Sequence, residues 1–298
     1  MSATLDARDE VNAKLPFWQT VSLSYSFYFQ HFGDALRISW LWLLIFVPLA
    51  GATNWLQMSW FSEVIATMKP GEPPPPPAMP IAMTILGTAS NLVMFLAGCS
   101  IAVAWHRLVL LDEHPGLSGG NIFSRNVWRY VGMGLAILLM GGLPAVAVVA
   151  SVSLWALPHA VDGGAPAMSA ARPNPAVFIL IPIVYLAACI IVMRLCLLLP
   201  ARAVGDTRLT FKEMWRLTRG NAWRIFWGIA ACSLPPLLVA QIALVILVGF
   251  PDPASAMTGS WVAFSAIFSG YYLMTLPIFV GFLSHAFLFF RRAHIRAT

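Results

Sequence analysis

Six stretches of this chain, near 38–57, 81–105, 130–157, 176–199, 225–250 and 260–290, are apolar over the roughly 20 residues that a helix needs to cross the hydrocarbon core of a bilayer. In hydrocarbon every backbone N–H and C=O must find its partner within the chain, so only helices and closed barrels can span. The runs are continuously apolar and lack the residue-by-residue alternation of a lipid-facing barrel strand, which leaves helices. The expected fold class is all-α: a polytopic membrane protein of six transmembrane helices, forming a single membrane domain over 1–298. Composition agrees, since 10% of residues are charged where soluble domains average about 25%. No short apolar core with a small-residue cleavage site occurs before the first run, so that run is expected to serve as an uncleaved signal anchor.

The basic pI of about 9.5 would point to nucleic acid in a soluble protein. Here the positions of the charges explain it without nucleic acid. Arg8, Lys14 and Arg37 precede the first run; Arg107, Arg125 and Arg129 lie between the second and third. Arg194, Arg202, Arg208, Lys212, Arg216, Arg219 and Arg224 lie between the fourth and fifth, and Arg291, Arg292 and Arg296 follow the sixth. The opposite side holds only Lys69 and Arg172. Lysine and arginine accumulate in cytoplasmic loops, so both termini are expected in the cytoplasm.

A threefold recurrence overlays these runs. Ala35-Leu36-Arg37-Ile38, Val127-Trp128-Arg129-Tyr130 and Ala222-Trp223-Arg224-Ile225 each open an apolar run, with successive arginines 92 and then 95 positions apart. Each is followed by proline deeper in the run: Pro48, Pro144 and Pro235-Pro236. At the far ends of the hairpins, Arg107, Arg194 and His285 each stand about one turn before the apolar run closes. The units, about 15–105, 118–200 and 208–290, each combine a membrane-surface segment with two spans. An even number of spans per unit makes them three parallel repeats. Spacing leaves open whether they close a ring.

The surface segments differ in clarity. In 16–36, Trp18, Val21, Tyr25, Tyr28, Phe29, Phe32 and Leu36 recur at three- and four-residue steps, with Gln19, Ser22, Ser26, Gln30 and Asp34 mostly opposite. Such a helix is expected in the headgroup plane with its rings at the acyl boundary, the alternative being a helix packed on protein. In 210–220 a capping box, Thr210-Phe211-Lys212-Glu213, opens a helix that Gly220-Asn221 breaks, and Asn221 is placed to cap the fifth span. The middle segment, 121–129, is shorter and less regular. Between the first two spans, Pro73 to Pro77 are expected to form a polyproline II spacer; 162–175 and 251–253 read as plain loops.

Catalytic signatures are missing. None of the twelve acidic residues falls inside an expected span, and the six histidines show no zinc-ligand spacing. No nucleophile elbow, phosphate loop or DNA-binding signature occurs. The four cysteines, Cys99, Cys189, Cys196 and Cys232, form no C-x-x-C pair and read as packing residues. No cofactor or metal is expected. Candidate anion- or lipid-binding residues are Arg107, Arg194 and His285, as a ring facing the cytoplasm, together with the basic stripe Arg208, Lys212, Arg216 and Arg219, and Arg224 beyond it. Arg107 and Arg194 alternatively snorkel to the interface while His285 packs between helices. Candidate interfacial anchors are Trp18, Tyr25, Phe29, Phe32, Trp215 and Trp223.

An aromatic amphipathic N-terminus leading into a span, with the later run Trp215-Arg216-Leu217-Thr218-Arg219-Gly220-Asn221-Ala222-Trp223-Arg224, resembles the uncharacterised six-span bacterial inner-membrane proteins. More distantly it is similar to the membrane domain attached to some glycerophosphodiester phosphodiesterases. The soluble barrel that carries their chemistry has no counterpart in this sequence, so catalysis does not transfer. The resemblance implies a bacterial inner-membrane module concerned with envelope lipids. The expected function is that of a non-enzymatic multi-pass protein that binds anionic headgroups of the cytoplasmic leaflet or supports a membrane-protein partner. The alternative is a transporter or channel for a small anionic or amphipathic solute, favoured by the basic ring and by Pro182 and Pro277 within spans.

Overall fold

A computed structural model describes residues 14–67, 79–116, 124–156, 175–248 and 259–297. The polyproline stretch, the 162–174 link, the 251–253 turn and residues 121–123 of the middle segment lie outside them. Every regular element among the described residues is helical. In chain order these are α1 (Phe17–Gln30), α2 (Phe32–Thr67), α3 (Ile81–Leu111), α4 (Arg125–Ala156), α5 (Pro175–Leu195), a 3-10 turn (Cys196–Leu198), α6 (Leu199–Ala203), α7 (Phe211–Leu217), α8 (Ala222–Val248) and α9 (Gly259–Ala297). Among the described residues, five helical stretches are long and apolar enough to cross a membrane: Phe32–Thr67, Ile81–Leu111, Pro182–Ala203, Ala222–Leu247 and Ser265–Arg292. The other run, 130–157, falls largely within the 32-residue α4.

The surface segments resolve differently. The first divides at His31 into α1 and the opening turn of α2. The third is a separate helix, α7, with the expected capping box: the Thr210 hydroxyl accepts from the Glu213 N–H and the Glu213 carboxylate accepts from the Thr210 N–H at 2.7 Å. Gly220, at φ +76°, takes the left-handed turn beyond it. Of the middle segment, the described part is the start of α4 itself.

α9 is the packing hub, lying against α1, α2, α3 and α8. Its buried residues include Leu273, Ile278, Phe282, Leu283, Ala286 and Phe287. Hairpin partners pack together as α2 with α3, α4 with α5, and α8 with α9. Between hairpins, α3 touches α4, α5 touches α8, and α9 returns to α2. Close approach is set by small residues. A Cβ on Gly228 of α8 would lie 2.0 Å from the Phe282 ring, and one on Gly141 of α4 would lie 1.9 Å from Val192.

α1 packs against α8 and α9 rather than on its own hairpin, with which it has few contacts. Thr20, Val21, Ser24 and Tyr28 form its buried face. The expected aromatic stripe is therefore shared out. Val21, Tyr25 and Tyr28 turn toward protein, while Trp18 and Phe29 stay 75% and 68% exposed. α1 meets α9 at Ser24 and Gly281, where a Cβ on the glycine would stand in ordinary van der Waals contact, 3.7 Å, with that of Ser24.

Both tyrosines meet proline-altered helix. Pro235 has no N–H to offer the carbonyl of Ala231 four residues earlier, and the Tyr25 hydroxyl donates to that carbonyl at 2.9 Å. One turn along α1, the Tyr28 hydroxyl donates to the carbonyl of Met274, three residues before Pro277, at 3.1 Å. Burial pushes both phenols up to about 12, so each keeps the proton it donates.

Candidate functional site

Residues from distant parts of the chain gather at one end of the bundle, which carries most of its cations. Leu15, just before α1, is held by two groups at the start of α8. Its N–H donates to the Asn221 Oδ1 at 2.9 Å, and its carbonyl accepts from Arg224 at 2.7 Å. Asn221, expected as a cap, thus tethers the N-terminal segment. Nearby, Asp34 lies 3.7 Å from Arg37 and 3.4 Å from His114, whose ring is stacked 6.3 Å from that of His31. Arg291 of α9 reaches Asp206 at 3.8 Å.

The recurring arginines have different surroundings. Arg37 is paired with Asp34 and Arg224 holds Leu15, while Arg129 is half-buried at the start of α4. The expected ring of Arg107, Arg194 and His285 is likewise divided among separate neighbours. Arg107 grips Glu113 through Nε at 2.9 Å and a terminal nitrogen at 2.6 Å, and its other terminal nitrogen donates to the Ala203 carbonyl at 3.4 Å. Arg194 donates to the Thr218 hydroxyl at 3.0 Å and to the Trp215 carbonyl, with its guanidinium 3.6 Å from the centre of the Trp215 ring. It fastens the C-terminal turn of α7 to the end of α5, where a cation also suits the helix dipole. His285 packs edge-on to Phe27, with ring centres 6.0 Å apart.

The polar centre runs through the neighbours of these residues. His106, fully buried on α3, has its Nδ1 2.7 Å from the Ser284 Oγ of α9. Ser284 spends its own proton on the Val280 carbonyl at 3.0 Å, so Oγ accepts from His106 Nδ1–H. This leaves Nε2 to accept from the Tyr130 hydroxyl of α4, 3.4 Å away. A neutral imidazole with both nitrogens satisfied joins three helices. Such an arrangement locks the packing of α3, α4 and α9.

Beside it, Ser100, Val103, Ala104 and Arg107 form one stripe of α3 along a cavity of about 360 Å³. Glu113, His114, Ser124 and Asn126 complete its polar wall. Ser100, almost wholly buried, has no hydrogen-bond partner for its hydroxyl among the described residues. The spacing of Ser100, Ala104 and Arg107 was the available sequence signal for this wall. Neither Arg194 nor His285 lines it.

The stripe residues remain outward. Arg208, Lys212, Arg216 and Arg219 are exposed, with Trp215 and Trp223 about half exposed among them. Arg208 also borders a shallow cavity with Asp206, Thr207 and Arg291. Trp128, at the start of α4, is 54% exposed. Among the described residues no cluster of His, Cys, Asp or Glu is arranged to hold a metal. No family model, curated protein or solved structure matches the chain.

Proposed function

We propose that this protein is a non-catalytic multi-pass module of a bacterial cytoplasmic membrane, made of three like-oriented helical hairpins, which grips anionic lipid headgroups at its basic end. The observation that carries the reading is the set of outward cations on and beside α7, flanked by half-exposed Trp215 and Trp223. Arginine and lysine near an anionic surface contribute about 1 kcal/mol each, and tryptophan prefers the headgroup level. Arg107 and Arg194 already have protein partners, so the stripe is the part of the cationic set most open to lipid. The hairpin reading draws support from the order of packing, in which each hairpin's second helix meets the first helix of the next and α9 closes onto α2.

Replacing Arg208, Lys212, Arg216 and Arg219 with alanine is expected to weaken retention of phosphatidylglycerol by purified protein in nanodiscs, leaving phosphatidylcholine retention unchanged. The measurement is native mass spectrometry of the lipid-bearing protein across a salt series, since exposed charges are screened over about 8–10 Å at 0.1–0.15 M salt. Equal phosphatidylglycerol retention in both proteins would refute the proposal. A second reading, transport of a small anionic or amphipathic solute, draws on the polar cavity beside Arg107 and is checked by solute flux into proteoliposomes.

A further inference from the structure

A second cavity, of about 320 Å³, lies far from the basic end, among α2, α3, α8 and α9. Its position follows from helix rise. Pro236 is fourteen residues into α8, Phe46 fourteen residues into α2, and Met94 seventeen residues before the end of α3, each about 20–25 Å from the basic end at 1.5 Å per residue. For a hydrocarbon core of about 30 Å, this is the middle of the membrane. The cavity occurs where Pro235-Pro236 and Pro277 interrupt the helical bonding of α8 and α9.

Its lining is mainly apolar. Phe46, Met94, Phe268, Leu276 and Phe279 supply much of the wall. Ser269 donates to the Ser265 carbonyl at 2.9 Å, and Thr275 donates to the carbonyls of Tyr271 and Tyr272 at 3.2 Å. The protons of these two hydroxyls are spent on the helix; Ser233, Tyr271 and Tyr272 add three hydroxyls to an otherwise apolar wall. At the rim, Leu237 and Tyr272 are 43% and 52% exposed, in stretches apolar enough to span. An opening at that depth faces the ends of acyl chains.

We propose that this cavity is a lateral binding site for the acyl chain of a membrane lipid. The driving force is contact rather than transfer from water, because lipid tails and the cavity wall are equally apolar. A void forfeits dispersion with every wall atom, and an entering methylene chain restores it. The chain enters from the side, between α8 and α9, past Leu237 and Tyr272. The site depends on the helices being membrane-spanning and not on the basic stripe. It adds a grip on the tail to the proposed grip on the headgroup.

The test uses full-length protein in nanodiscs containing a phospholipid whose acyl chain carries a diazirine near its end, with crosslinks located by peptide mass spectrometry. Crosslinks are expected on Met94, Leu276 and Phe279, above the level on Leu92 and Val239, which are openly exposed at the same depth. Filling the cavity with Ser269→Phe, or from its other wall with Ser233→Leu, is expected to lower the interior crosslinks to that background while leaving Leu92 and Val239 unchanged. The alanine variant at Arg208, Lys212, Arg216 and Arg219 is expected to keep the interior crosslinks, which separates failure of the headgroup reading from failure of this one. Interior labelling no greater than at Val239 in the unaltered protein overturns the proposal, as does interior labelling that survives in a folded filled variant.

Discussion

A proline in a membrane helix and a tyrosine on a neighbouring helix can remedy each other's defects. Pro235 leaves the Ala231 carbonyl without its usual donor, and a phenol buried in apolar surroundings needs an acceptor; the 2.9 Å contact between Tyr25 and Ala231 satisfies both. Tyr25→Phe is therefore expected to destabilise the protein by about 1 kcal/mol, within the range measured for membrane hydrogen bonds. In a Pro235→Ala background, where residue 235 regains an N–H, the same change is expected to cost little. Unfolding in mixed micelles, run as a double-mutant cycle, checks this, and additive effects would refute it. The ring periodicity of 16–36 made the tyrosines visible, but not their acceptors. Whether an aromatic residue faces headgroups or a freed carbonyl depends on a helix more than 200 residues away. The His106–Ser284–Tyr130 network was hidden for the same reason, because its members lie on three separate helices and form no local pattern.

At the scale of elements, local signals were legible where the forces are local. The Thr210–Glu213 capping box and the Gly220 break depend on neighbours within a few residues, and both are present. Helix contacts were not legible, because they depend on which glycine meets which ring. Gly228 is the clearest case: α8 approaches α9 so closely that the Phe282 ring occupies the space a methyl group would need. Gly228→Ala is expected to cost about 1–3 kcal/mol through overpacking. Gly132→Ala in α4, where nothing lies within 4 Å of the new methyl, is expected to be neutral or stabilising by up to about 1 kcal/mol. Thermal melting in detergent compares the two, and equal melting temperatures would contradict the packing account. Arg194 shows the converse limit. Its position near the end of an apolar run was evident, but its service to α7 required Trp215 and Thr218 to be brought beside it.

For the whole molecule, topology makes a direct prediction. The proposed like orientation of the three hairpins predicts that single cysteines introduced at Lys14 and at Arg292 label from the same side of the membrane, and that one at Thr67 labels from the other. The experiment uses a chain in which Cys99, Cys189, Cys196 and Cys232 are replaced by alanine, sealed vesicles and an impermeant maleimide. Opposite labelling of Lys14→Cys and Arg292→Cys would overturn the hairpin arrangement. The all-helical class and the positions of the main apolar helices were determined by the sequence alone, because backbone hydrogen bonding in hydrocarbon leaves few solutions and acts within each segment. Only the tertiary structure decided that α1 packs on the last hairpin, that Arg107 is paired with Glu113, and that a buried histidine joins α3, α4 and α9. Those outcomes depend on close contacts between residues far apart in the chain, where one small side chain or one bent helix selects the partner, and linear periodicity carries no record of that choice.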